Sequence, residues 1–112
     1  MWEAAAKIAR FTEGMSQAGF SEDERTQYAV IALLEIIGEA ASRVEADFRQ
    51  THTEVPWREL IGLRNHLIHG YDVVDLDIVW RTIQEDLPQL TEALAGLLVA
   101  DADEQGDQGP SV

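Results

Sequence analysis

Apolar residues in this chain recur three and four positions apart, a spacing that admits little besides helices. Val30, Leu33, Leu34, Ile37, Ala41, Val44 and Phe48 draw one continuous stripe. Leu76, Val79, Ile83, Leu87, Leu90, Leu94 and Leu97 draw a second. No run alternates with period two over five or more residues, so no strand is expected. The expected fold is all-α, an up-down bundle of four to five helices with short connections. A length of 112 residues suits one domain. That domain is read as residues 1–100, and a chain this small gains from the extra apolar burial of a dimer.

Punctuation along the chain divides the pattern. Glu3, Ala4, Ala5, Ala6, Lys7 and Ala9 favour a helix over residues 2–13, with Ile8 and Phe11 as anchors and Gly14 and Gly19 as breaks. Ser21-Glu22-Asp23-Glu24 reads as a capping box opening the next helix. Ile31 and Ile36 fall off that helix's stripe, which predicts a second covered face, supplied by a partner subunit. Pro56 starts a helix from Trp57 to His69, with Gly70 as its terminator. Pro88 should kink or restart the last helix. Residues 101–112, DADEQGDQGPSV, are expected to be a disordered acidic tail. Gly38 and Gly62 are expected to permit close helix packing, and Trp57 and Trp80 to lie in the core or an interface.

Composition narrows the function classes. The chain has no cysteine, which removes disulfides, thiolate metal sites and cysteine catalysis. No stretch nears the roughly 18 apolar residues of a membrane span, and no signal peptide is evident, so a cytoplasmic protein is expected. Eight Lys and Arg against 21 Asp and Glu give a net charge of −13. Such a surface repels nucleic-acid phosphate and excludes binding through a broad basic face. Within it, residues 51–71 carry two acids, two bases and all three histidines, and this neutral segment is where chemistry is expected.

Leu63-Arg64-Asn65-His66-Leu67-Ile68-His69-Gly70-Tyr71 gathers a guanidinium, an amide, an imidazole and a phenol at one helix end. Asn65 and His69 share a face, while Arg64 lies about 140° from His69 around the axis but has a long, foldable arm. The C-terminal end of a helix also favours a protonated imidazole. Such a group suits phosphodiester cleavage by a neighbouring 2′-hydroxyl: the histidine moves the proton, and the planar guanidinium holds the charge developing on phosphorus. That chemistry needs neither metal nor cofactor. Other readings stay open. A histidine near a helix end is often structural, and His66 with His69 could form an H-x-x-H metal pair, although no third ligand of matching type is near in sequence. Glu39 reads as solvent-facing and Glu35 as an ion-pair partner of Arg64. Glu35 and His66 are therefore candidates for support of the site. No P-loop, dinucleotide fingerprint or nucleophile elbow is present.

Arg64-Asn65-x-x-x-His69-x-Tyr71 matches the R-x4-H-x-Y signature of HepT-like toxins of the HEPN superfamily. Arg10–Met15, Thr26–Val30, Leu34–Ala41, Val55–Trp57 and Val74–Trp80 resemble the flanking blocks of that family in the right order, so the resemblance covers nearly the whole chain. It implies a helical protein that dimerises so that two motifs face each other in a composite cleft. It also implies a metal-independent endoribonuclease toxin, encoded beside a minimal nucleotidyltransferase antitoxin that binds it and can attach AMP to the motif tyrosine. On these residues, Arg64 and His69 would be catalytic, Asn65 would orient the phosphate and Tyr71 would be the modification site. Two features depart from the pattern. The first helix is several residues shorter than usual, which predicts an altered antitoxin surface or a truncated start. The net charge is awkward for an RNase, so RNA must be caught by local cations. The acidity favours a rival reading, a non-catalytic partner or substrate-binding subunit of a nucleotidyltransferase.

Overall fold

The computed structural model describes residues 1–69 and 74–108, and over these the chain is all-α, without a strand. Its helices are α1 (Trp2–Thr12), α2 (Gln17–Glu22), α3 (Glu24–Ser42), α4 (Ala46–Thr51), α5 (Trp57–His69), α6 (Leu76–Arg81) and α7 (Leu87–Gln108). A π-helical turn, Thr82–Asp86, joins α6 to α7. Gly70 and Tyr71 lie outside the described residues. Among the described residues, no helix is long and apolar enough to cross a membrane.

Local chemistry sets the boundaries, and in places it overrules the sequence pattern. Gly14 does end α1, with φ of +74°, a conformation that L side chains rarely adopt. Gly19 does not break anything. It sits inside α2, and its N–H donates to the Ser16 hydroxyl, which caps that short helix. The cap of α3 is Asp23 and not Ser21: its carboxylate accepts the Thr26 N–H at 3.1 Å and the Thr26 hydroxyl at 2.7 Å. Ser21 is taken up by the end of α2, so the capping-box register slips by two residues. The apolar stripe from Val30 to Phe48 is not one helix either. α3 ends at Ser42, and Phe48 belongs to α4, which begins after an extended Glu45. Pro88 sits in the first turn of α7, which restarts at Leu87 after the π-helical turn, as expected of a proline there. The widened turn before it, with the Leu87 N–H bonded to the Thr82 carbonyl five residues back, absorbs a ring that would clash with a regular turn. α7 runs from there to Gln108.

α3 is the middle of the molecule, packed on α5 along one side and on α1 along another, with α7 closing against α1. Ile8, Phe20, Val30, Ile37, Leu60, Leu67, Val79 and Leu90 are fully buried at the centre. Phe20 and Trp80 meet at 5.4 Å between ring centroids and tie α2 to α6. Ile31, one of the two off-stripe residues, packs partly against this core. Ile36 does not, and remains 56% exposed.

One contact brings the two central helices closer than ordinary side chains permit. Gly38 of α3 is buried against α5, and a Cβ there would collide with Arg64 Cβ, at 2.8 Å from Arg64 Cγ and 2.9 Å from the Leu60 carbonyl. Gly38 is therefore a close-packing glycine, as expected. Gly62 is not: it is exposed, and a Cβ added to it would meet nothing within 4 Å.

Candidate active site

α5 carries the motif, and its start is firmly held. Pro56 sets the entry, its carbonyl accepting the Leu60 N–H at 3.1 Å. The Trp57 indole N–H donates to the His52 carbonyl at 2.8 Å, pinning the first turn of α5 to the end of α4. Leu60, Leu63 and Leu67 then bury one side of the helix. The remaining positions follow from 100° per residue. Arg64 falls at the edge of the buried side, facing α3. Asn65 and His69 fall on the solvent side, and both are exposed.

Arg64 is held from α3. Its Nη2 lies 2.6 Å from Glu39 Oε2, and its Nη1 donates to Asn65 Oδ1 at 3.2 Å. The other oxygen of Glu39 pairs with Arg43 Nη2 at 3.1 Å, so one carboxylate bridges two guanidiniums. The side chains of Arg64 and Glu39 are 29% and 39% exposed, so the pair adds at most about 1 kcal/mol to stability. Its larger effect is geometric, because it fixes the direction of the Arg64 arm. Expectation and structure part here. Glu35 is not the partner of Arg64 and makes no ion pair among the described residues, whereas Glu39, read as merely solvent-facing, is. The two carboxylates are one helical turn apart and equally plausible by periodicity. The signal that could have chosen between them is Gly38, which marks the closest approach of α3 to α5 and places its neighbour Glu39 at the contact.

The motif's ionisable groups are not all drawn together. Arg64 and Asn65 are in contact, but His69, about 140° from Arg64 around α5, points away from it. Arg64 Nε and His66 Nε2 are buried without a hydrogen-bond partner among the described residues. A buried donor left unmatched costs about 1–3 kcal/mol, so α5 carries two unmet polar groups next to the motif. His66 is thus half-buried, with one ring nitrogen shielded from solvent, whereas His69 is exposed. No group of three or more His, Asp and Glu able to hold a metal occurs among the described residues. Tyr71 falls outside the described residues, and no position is assigned to it.

Comparison with known proteins places this arrangement. Residues 1–97 match the family model described as Ribonuclease HepT-like. The chain belongs to the HepT-like ribonuclease family. Among its HepT-like relatives, a protein named probable ribonuclease HepT, from Thermococcus cleftensis, is 46% identical over 88 residues, covering 79% of this chain and 80% of that one. A putative RNase of Methanocaldococcus jannaschii is 41% identical over 88 residues, covering 79% and 81%. A putative RNase of Caldanaerobacter subterraneus is 38% identical over 86 residues, covering 77% of each chain. No solved structure matches.

Proposed function

We propose that this HepT-like chain is a metal-independent endoribonuclease toxin, acting as a homodimer on RNA and neutralised by a minimal nucleotidyltransferase antitoxin. The observation that carries the reading is the Arg64-Asn65-x-x-x-His69 motif on α5, in a family member whose Arg64 guanidinium is braced by Glu39 and reaches Asn65. In the proposed reaction, His69 accepts the proton of the RNA 2′-hydroxyl as its oxygen attacks phosphorus. Arg64 holds the charge on the non-bridging oxygens, and Asn65 orients them. The P–O5′ bond breaks, and the leaving oxygen takes a proton from the His69 of the second copy. The products are a 2′,3′-cyclic phosphate and a 5′-hydroxyl.

Two features support a second copy. His69 diverges from Arg64 on the same helix, so a site using both is better built from two motifs. Ile36, more than half exposed on α3, is an apolar side chain that a partner would cover. AMP attached to Tyr71 would bring bulk and negative charge to a cleft that must admit phosphate, which is the proposed route of control. The net charge of −13 favours the rival reading, a non-catalytic partner of the nucleotidyltransferase.

The test is RNA cleavage by purified protein. His69→Ala and Arg64→Ala should each abolish it with fold and oligomeric state unchanged, and wild-type activity should survive EDTA. Products bearing a 3′-hydroxyl would indicate a metal-activated water instead. Retained cleavage in His69→Ala would place the site elsewhere, and no cleavage by the wild type would leave the binding-partner reading. Light scattering checks the dimer. Mass spectrometry after incubation with the neighbouring nucleotidyltransferase and ATP checks for AMP on Tyr71.

A further inference from the structure

Beside the motif, α4 and the first two-thirds of α5 line an open groove of about 640 Å³, floored by the apolar Ala46, Trp57 and Ile61 and including Asn65. Its charged lining is wholly basic: Arg49 from α4 and Arg58 from α5, with Gln50, Thr53 and Asn65 as neutral hydrogen-bonding groups. No carboxylate lines it, in a chain where acids outnumber bases 21 to eight. Among the described residues, neither arginine lies within ion-pairing distance of an acid. Among the described residues, Arg49 Nε is sealed from solvent and has no hydrogen-bond partner.

Gly62 is part of the same wall. Glycine is poorly suited to the middle of a helix, and nothing among the described residues requires it there, since a Cβ would meet open space. A group approaching from outside the chain would require it. Helical periodicity puts Arg58, Gly62, Asn65 and His69 within about 60° of one another, on one face of α5. Along the axis His69 lies about 16 Å beyond Arg58, too far for both to hold one phosphate.

We propose that this groove is an RNA subsite: Arg49 and Arg58 clamp a backbone phosphate one or more nucleotides from the scissile bond, and the attached nucleoside lies over the gap left by Gly62. The proposal rests on the ribonuclease reading and adds to it the source of RNA affinity in an acidic protein. A strand laid along the 58–62–65–69 face runs from the clamp to the catalytic imidazole.

The test compares Arg58→Ala, Arg49→Ala and Gly62→Leu with wild type on two RNAs taken from a wild-type cleavage site: a short single strand and the dinucleotide holding only the scissile bond. Binding is read on the same single strand made uncleavable by 2′-O-methylation. Each arginine variant should weaken that binding about tenfold and lower the slope of log K against log salt by about 0.7. Cleavage of the longer strand should show a raised KM with kcat retained, and cleavage of the dinucleotide should be unchanged. Arg58→Lys should keep the salt slope, and Gly62→Leu should weaken binding without changing that slope. If the arginine variants bind and cut both RNAs as the wild type does, the subsite is refuted while the ribonuclease reading stands. If they lose RNA binding only because light scattering shows a changed oligomeric state, the face belongs to a second copy and the subsite is refuted. Wild-type protein that cuts neither RNA refutes the ribonuclease reading itself.

Discussion

Gly38→Ala tests how far the site depends on the closeness of two helices. The added methyl would collide with Arg64 Cβ and lie 2.8 Å from Arg64 Cγ and 2.9 Å from the Leu60 carbonyl. Carbon atoms rest about 3.5–4.0 Å apart, so α3 and α5 must part by roughly 1 Å. Overpacking of this kind costs about 1–3 kcal/mol. Replacing glycine by alanine in a helix interior returns about 0.8–1.0 kcal/mol, which leaves a net loss near 1 kcal/mol. For a domain of about this size, that is a fall in Tm of roughly 4–8 °C. Gly96→Ala in α7 is the control, because a Cβ there meets nothing within 4 Å and only the propensity gain remains. Its Tm should rise by a few degrees. The parting of the helices also moves Arg64 away from Glu39. A displacement of about 1 Å at a catalytic group can cost about a hundredfold, so kcat should fall ten- to a hundredfold with KM little changed. The assay pairs thermal unfolding at one fixed protein concentration with cleavage kinetics. If Gly38→Ala raises Tm as Gly96→Ala does, the helices are not in the contact described. If it destabilises yet leaves kcat intact, the α3–α5 spacing does not position the guanidinium.

Glu39→Gln should lower kcat about tenfold, which is 1.4 kcal/mol of transition-state stabilisation, because Arg64 keeps one acceptor but loses the charge that orients it. Stability should change by less than about 1 kcal/mol, since both side chains are partly exposed, and unchanged kcat would remove Glu39 as a positioning residue. Burial pushes the Asp86 carboxyl above its usual pKa of 3.8, and the nearby charges of Glu59 and Glu85 push it the same way against Arg81. Its charged form is therefore disfavoured by folding: the cost is present at neutral pH and is relieved as pH falls through the raised pKa. Asp86→Asn should raise the urea midpoint at pH 7, with the gain shrinking toward pH 4; an equal gain at both would refute the assignment.

Much of this protein is local and so can be read along the chain. Amphipathic spacing, alanine-rich runs and the absence of alternation determine that it is helical, because a period of three to four can bury one side of a helix but not of a strand. Pro56 and the leucines after it place the motif helix, and the order Arg64-Asn65-x-x-x-His69 carries the chemistry proposed for it. The misreadings share one cause. Ser21 against Asp23 as the cap of α3, and the break between Ser42 and Ala46, are choices between local options of nearly equal propensity. Packing of α2 and α4 decides them, and the period does not. The partner of Arg64 is a sharper case. Glu35 and Glu39 are one turn apart on the same helix, so the apolar period alone does not separate them. Only the register of α3 against α5 does, set where Gly38 lets the two backbones approach. The same register and the placement of α4 bring Arg49, Arg58 and Asn65 around one groove, from positions nine and seven residues apart in sequence. Sequence determined which groups this protein has and which helix bears them. Tertiary packing decided which carboxylate holds the arginine and which arginines keep their charge free, because contacts between helices depend on backbone separation and rotation that no single helix encodes.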